Sequence, residues 1–503
     1  MMNRSLLGST ALAVILFCSG AQAQVTPEQV WESWQAMSTG AGQTLTVGSA
    51  TRNGDTLEVA GLAIAMTDEA GGSFTATIDK LNFKDRGDGT VEVSMSETYP
   101  MTLIFPPEAD APSELKLTVS QPGISIIAGG SATETSYEFI APTLSVKLDE
   151  LKDQSGAVQD VALDLVITDT SAKYTVNSAG EATTLDSSFA AKSMALNISG
   201  ADPEAGGEGK VTVSFADLSG TSKGNFLGAE IMANMAAALN AGFTTDASFT
   251  FGAMALNADI TDSSGPTKII GSATGGGFVL AMDKVRVNYG TSLNGASFTL
   301  SSADIPFPQV VLTFAESAFN VLMPVSKSDT PQDFAYLTKF VDFTVSDEVW
   351  GMIDPGGTLS REPATVILDA KGTGFWKQDI MDPNAAMDGS EPPGELTSLD
   401  LTQLLVKAAG AEVGASGALT FDNTDLATFQ GVPAPTGTIN VTIKGVNTLI
   451  DNLIAIGILP EDQAMGARMM LGMFARPGAG PDELTSVIEF KDKGLFANGQ
   501  QLQ

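Results

Sequence analysis

The side chains able to do chemistry in this chain are its carboxylates. Asp and Glu number 59 against 26 Lys and Arg, His is absent, and Cys18 is the single cysteine. Without imidazole no side chain titrates unperturbed near neutrality. Ser–His and Cys–His nucleophile pairs are excluded, as are zinc sites built on His or Cys. Asp149, Glu150 and Asp153 cluster, and so do Asp382, Asp388 and Glu391. Such oxygens could hold Ca²⁺, but neither group has EF-hand spacing, and solvated acidic turns account for both. Glycoside hydrolysis needs two acids about 5–10 Å apart in a cleft. No spacing singles out a pair, and the 4 Trp residues offer few sugar platforms. The glycine runs lack the Lys-Ser/Thr of a phosphate loop. Arg86-Gly87-Asp88 is an adhesion tripeptide by letter, yet a hairpin turn between Phe83 and Val91 accounts for it. No catalytic residue, metal site or cofactor is assigned, and the chain is read as non-enzymatic.

One apolar cluster stands out as a candidate contact for a ligand: Met465, Met469, Met470, Met473 and Phe474. Methionine is flexible and polarizable and suits surfaces that accept varied apolar partners. The alternative is helix core packed on a sheet. Val349-Trp350 followed by Pro355-Gly356 reads as a helix stop whose ring docks on the core.

The elements that would position these residues begin after an export signal. Arg4, the apolar stretch from Leu6 to Phe17 and Ala21-Gln22-Ala23 make residues 1–23 a cleavable signal peptide. Lipidation at Cys18 would require a small residue where Phe17 stands, and the apolar run is shorter than the ~20 residues of a span. No later segment is a transmembrane candidate. The expected location is the periplasm, with outer-membrane association or secretion as alternatives. The net charge of −33 falls by one more unit when Arg4 is removed. Such a surface repels phosphate backbones, so nucleic acid is not an expected partner.

Period-two alternation recurs almost throughout, as in Val91-Glu92-Val93-Ser94-Met95, Leu144-Ser145-Val146-Lys147-Leu148 and Ile439-Asn440-Val441-Thr442-Ile443. One apolar and one wet face suit antiparallel sheets. Turn signals are Asp88-Gly89, Asn294-Gly295, Gly71-Gly72 and Gly275 to Gly277. Helices are expected at four places. The first has Thr26 and Gln29 as a capping box and Val30, Trp31 and Trp34 on its apolar side. The second covers about 225–241. The third covers about 308–352, as two helices broken between Pro324 and Pro331, with Phe334, Leu337, Phe340 and Val341 inward. The fourth is a hairpin over about 446–475, turning at Pro460. Residues 381–396 read as an exposed loop. Met194-Ala195-Leu196-Asn197 recurs as Met254-Ala255-Leu256-Asn257, through duplication of a sheet unit or by chance.

Asp347-Glu348-Val349-Trp350, Ile353-Asp354-Pro355-Gly356 and Arg361-Glu362-Pro363-Ala364 resemble the central signature of the alphaproteobacterial domain-of-unknown-function 2125 family of envelope proteins. Gly437-Thr438-Ile439, Gly445-Val446-Asn447-Thr448-Leu449 and Gly494-Leu495-Phe496-Ala497-Asn498-Gly499 fit it too, and the likeness runs over nearly the whole mature chain. That family brings no catalytic residues to carry over. The ending is also similar to that of AsmA-like envelope proteins, a resemblance that implies a β-rich groove and lipid movement. This chain departs from them in lacking a membrane anchor.

The expected fold is mainly β with helices (α+β): an elongated, curved antiparallel meander with a few covering or capping helices. Its segments are 24–242, 243–352 and 353–503, in one continuous architecture. The expected function is binding of lipid-like apolar ligands in a β groove. Alternatives are a structural or interaction protein working through sheet edges and an acidic surface, and a carboxylate-dependent wall glycan hydrolase. The expected partners are lipid or another envelope protein.

Overall fold

The computed structural model describes residues 24–503 apart from 41, 69–70, 107–111, 132, 179–181, 203–206, 228, 233 and 383–391. Residues 1–23, read above as a signal peptide and containing Cys18, lie outside the described residues, as do Asp388 and Glu391. Helix α1 (Pro27–Gly40) opens the described chain. The Gln29 amide donates to Thr26 Oγ1 (3.3 Å) and the Thr26 amide to Gln29 Oε1 (3.0 Å), closing the expected capping box.

Every strand then joins one antiparallel sheet. It starts with β1 (Thr44–Asn53), β2 (Thr56–Thr67) and β3 (Ser73–Asp85). The next two rungs are each made of two short collinear strands. Beside β3 lie β4 (Val91–Met95) and β5 (Thr98–Ile104), and next to them β6 (Glu114–Ser120) and β7 (Ser125–Gly130). Long strands follow: β8 (Glu134–Lys152), β9 (Val161–Asn177), β10 (Thr183–Asp202) and β11 (Gly207–Phe226). Helices α2 (Ala229–Met232) and α3 (Met235–Asn240) interrupt the sheet. Two more split rungs contain β12 (Thr245–Phe251) with β13 (Met254–Asp262), and β14 (Gly265–Ala273) with β15 (Gly275–Met282). The meander continues through β16 (Arg286–Ser302), β17 (Val310–Pro324) and β18 (Gln332–Val345) to helix α4 (Asp347–Ile353). Shorter strands come next: β19 (Ala364–Trp376), β20 (Gly394–Ala408), β21 (Ala411–Asp422) and β22 (Ala434–Lys444). Helices α5 (Val446–Ala455) and α6 (Glu461–Phe474) form the expected hairpin. The chain closes with β23 (Arg476–Pro477), β24 (Glu483–Lys491), β25 (Gly494–Ala497) and β26 (Gln500–Gln501). About twenty rungs at ~4.8 Å make a ribbon about 100 Å along its path.

A transverse crease organises this ribbon. Val47 pairs with Leu62 and Ser49 with Ala60, skipping Gly48 and Gly61. The same skip falls at Pro142 and Asp169, at Lys192 and Asp217, and at Gly295 and Ala315. The split rungs break along this line too, at Ser96-Glu97, Gly252-Ala253 and Thr274. Backbone bonds carry the sheet across the breaks: the Gly252 amide donates to Ala216 O (2.8 Å) and the Ala216 amide to Ala253 O (2.9 Å). Asp169, Asp217, Asp342 and Gly295 at the crease are left-handed, with φ of 49°, 52°, 54° and 54°. A left-handed residue inserted in a strand moves the side-chain alternation by one position. The sequence moves with it. In β9 the apolar residues are Leu163, Leu165 and Ile167 before the crease and Ala172, Tyr174 and Val176 after it. In β16 they are Val287, Tyr289 and Leu293, then Ala296, Phe298 and Leu300. The two slips cancel, and the apolar side chains stay on one face. Ring contacts across the crease show this, with Phe215 and Phe251 at 5.1 Å and Phe314 and Phe340 at 6.2 Å.

Several expectations are corrected by this geometry. The two helices expected over 308–352 are β17 and β18, and only α4 is helical there. Phe334, Phe340 and Phe343 share the apolar face, with the left-handed Asp342 between the last two. Leu337, paired with Asn320, points to the other side. The second helix shrinks to α2 and α3, because β11 runs on to Phe226. Asn294-Gly295 makes no hairpin turn but lies inside β16, with Gly295 at the crease. Gly275 to Gly277 belong to β15, where a Cβ at Gly276 or Gly277 would collide with the Phe251 ring or the Phe249 carbonyl. The loop expected over 381–396 ends by Gly394, where β20 begins. The Arg-Gly-Asp turn is as expected. Asp85 Oδ1 accepts from the Gly87 amide (2.8 Å) and Asp88 Oδ1 from the Thr90 amide (3.0 Å).

The crease makes a direct prediction at Asp217, whose side chain is exposed. Asp217→Val forces a β-branched residue into the left-handed region and lowers stability by about 1–2 kcal/mol. Asp217→Gly is neutral or stabilising. Thermal unfolding of the two variants beside the parent measures both.

Candidate functional site

The sheet has two chemically different faces. On the outer face the charged residues form cross-strand pairs: Lys173–Glu138 (3.2 Å), Lys223–Asp186 (3.2 Å), Lys268–Asp259 (3.4 Å) and Lys444–Glu412 (3.1 Å). These pairs are exposed, so each adds little stability. What they do is define the wet side. The other face is apolar along successive registers, from Phe249 to Phe278, from Leu280 to Tyr289, and from Tyr289 through Val321 to Tyr336. It continues from Phe340 through Val366 to Val406, and from Val413 through Ile443 to Leu484. The repeated tetrapeptide lies on this surface. Both copies pair with the same four residues of β11, so Met194 and Met254 flank Phe215, and Leu196 and Leu256 flank Val213.

One end of the apolar face is closed by α1. Trp31 and Trp34 pack on Phe83 with ring centroids 5.7 and 5.4 Å away. The core around them draws Val59, Leu81, Val93, Ile126 and Tyr137 from β2, β3, β4, β7 and β8. Strands several rungs apart therefore curl over one helix, and the face is concave there. Tyr137 stacks on Tyr174 (4.7 Å) and donates to Ser33 Oγ (3.4 Å); burial raises the pKa of both phenols. Beyond α1 the face is open. Leu185, Phe278, Tyr289 and Phe340 keep 42%, 42%, 44% and 46% of their surface exposed. Two hollows deepen it. One of about 620 Å³ lies between Ala36 and Met37 of α1 and Val176, Leu185, Phe226 and Phe243. The other, about 410 Å³, is lined by Val321, Met323, Phe334, Tyr336, Trp376 and Leu396.

The acidic cluster of Asp149, Glu150 and Asp153 is occupied by structural bonds. Glu150 takes Lys116 (2.7 Å) and Lys152 (3.1 Å), and Asp149 accepts from Thr118 Oγ1 (2.6 Å). Asp153 accepts from Ser155 Oγ (2.6 Å) and Gln159 Nε2 (2.7 Å) within its own turn. Lys116 and Lys152 hold Glu150, and the Ser155 hydroxyl with the turn amides holds Asp153, below the usual carboxylate range. The methionine cluster has the opposite character. Met465, Met469, Met470, Met473 and Phe474 all lie on α6 and all are exposed, so they are not sheet core.

The segments that carry the family likeness are joints. Asp354 is fully buried, and its Oδ2 accepts from the Leu359 amide (2.7 Å), a bond that lowers its pKa. Arg361 donates to Asp347 Oδ1 (2.7 Å), tying this turn back to α4. Asp482 sits at the start of α5. Burial pushes its pKa up, but the amides and side chains of Thr448 and Asn447 outweigh that and hold it below the ordinary value. The four bonds measure 2.8 to 3.1 Å. Asn498 donates to Phe474 O (2.9 Å) and accepts from the Val487 amide (3.0 Å), fixing the end of α6 against β24.

The joints and the open face lie largely in one stretch of chain. Residues 266–499 match the model of DUF2125, an uncharacterized protein conserved in bacteria. The DUF2125 match holds the central signature and the closing motifs, and it is narrower than the expected likeness over nearly the whole mature chain. No curated protein and no solved structure matches this chain. No helix among the described residues is long and apolar enough to cross a membrane.

Sequence reasoning missed the reach of the apolar face. The signal was present as a change of odd-even parity within each long strand, and only the crease gives it meaning.

Asp482 supports a pH prediction. Its lowered folded pKa contributes stability that is complete above the unfolded value of ~3.9 and is lost as pH falls through the folded value. Asp482→Ala removes the cap at a cost of about 1 kcal/mol near neutrality. Thermal unfolding from pH ~6 to ~3 will show a shallower acid loss in the variant than in the parent.

Proposed function

We propose that this chain is a non-enzymatic protein of the bacterial envelope that binds lipid-like apolar ligands along the apolar face of its sheet. The observation that carries the reading is the continuity of that face. It runs from the α1 end to the last strands, with half-exposed aromatic rings and two hollows, while the charges pair on the other side. Apolar surface of this extent is uncommon on a free monomer and marks a binding surface. The segregation of charge away from the face leaves van der Waals contact and apolar burial as the means of recognition. The signal-like residues 1–23 support an envelope location.

The test is native mass spectrometry of the gently purified exported protein, with lipid extraction alongside. Bound lipid in near-stoichiometric amount is the expected result. Phe278→Asp and Tyr336→Asp place a charge in the open part of the face and will lower the bound lipid about tenfold. A bare parent protein, or lipid unaffected by both substitutions, overturns the reading.

A further inference from the structure

Helix α6 is turned inside out relative to an ordinary surface helix. Only a narrow stripe faces the protein: Ala464 is buried, and Ala467 and Leu471 are half-buried. Its large residues face outward. Met465, Met469 and Met473 form one i, i+4, i+8 ridge, exposed at 64%, 67% and 56%. Met470 and Phe474 form the next ridge, at 61% and 39%, and Ile458 in the preceding turn adds 53%. Surface helices normally place the polar residues on this side.

Charge is distributed to match. From 463 to 481 there is no acidic residue in a chain with 59 acids, and of the two basic ones Arg468 pairs with Asp451 of α5 while Arg476 donates to the Asn498 carbonyl. The ridge has on the order of 600 Å² of exposed surface, below the ~800 Å² per partner of a stable protein interface. It also adjoins the apolar face, since Phe474 O accepts from the buried Ser486 hydroxyl (2.5 Å) and Ser486 lies opposite Val441 on that face.

We infer that the outer side of α6 is a docking surface for a phospholipid bilayer. The helix lies in the interface, with its methionines and Phe474 among the acyl chains and Arg476 and the Asp451-paired Arg468 at the level of the phosphates. This goes beyond ligand binding in the sheet, because the ridge is a convex surface with its own residues and can act whether or not the sheet is loaded.

The experiment is flotation of the exported protein with phosphatidylcholine vesicles, comparing the parent with a Met469→Glu/Met473→Glu variant. Both substituted side chains are exposed, and circular dichroism checks that the fold is kept. The parent is expected to float with the vesicles, and the variant to lose about tenfold or more in partitioning. Native mass spectrometry should show the same lipid load in both proteins, which separates this surface from the sheet. A parent that stays unbound, or a variant that floats equally well, overturns the inference. So does a concentration-dependent dimer in sedimentation velocity that the variant abolishes, because a second copy then covers the ridge.

Discussion

The structure depends on one constraint: a strand of 17 to 20 residues must keep its apolar side chains on one face while crossing a bend. An uninterrupted strand of that length has no means of bending sharply, and a bulge alone would rotate everything beyond it to the wrong side. Here the left-handed residue and the change of alternation occur together. Asp169, Asp217 and Asp342 tolerate the left-handed conformation better than β-branched residues would, and Gly295 adopts it freely. Left-handed residues lie in β9, β11, β16 and β18, while the neighbouring β8, β10 and β17 pass the crease at Pro142, Lys192 and Ala315 without one. Elsewhere the chain divides, so that two short strands take the place of one long strand. Long and split rungs are two solutions to the same geometric problem.

Because the crease preserves the face, the molecule can separate its chemistry. Acids and lysines alternate on the outer side, where water screens the large negative charge. The inner side carries no comparable charge ladder, and α1 seals one end with two tryptophans. A chain with no cysteine in its described residues holds this shape without a disulfide. Stability must come from the backbone ladder and from apolar burial. Around α1 burial is complete, whereas further along the ribbon the same side chains remain half-exposed. The contrast between these regions arises from curvature, since the residue types are alike.

The end bearing α4, α5 and α6 obeys a different rule. There β21, β22 and β24 fall to 12, 11 and 9 residues, and α5 and α6 stand between β22 and β24. Asp354, Asp482 and Asn498 each spend their hydrogen-bonding capacity on backbone amides and carbonyls at a helix end or a turn. The motifs of the DUF2125 segment thus serve to hold the helical hairpin on the sheet, and they place the methionine ridge outward.

Much of this was decided by sequence. The antiparallel class follows from period-two alternation, the first helix from Thr26 and Gln29, the last hairpin from Pro460 between two apolar arms, and the Arg-Gly-Asp turn from its glycines. Local chemistry suffices for each, because the relevant partners are within a few residues. Tertiary structure alone decided the rest. Phe334, Leu337, Phe340 and Val341 have spacings that fit one side of a helix, and only the pairing of β17 with β18 sends Leu337 and Val341 to the other face. Asn294-Gly295 can turn a hairpin or form a bulge, and the pairing of β16 with β17 selects the bulge. Which side of α6 faces the protein also lay beyond the sequence, since apolar residues surround most of its circumference. The packing of Ala464 and Leu471 against their neighbours settles it, leaving the methionines outside.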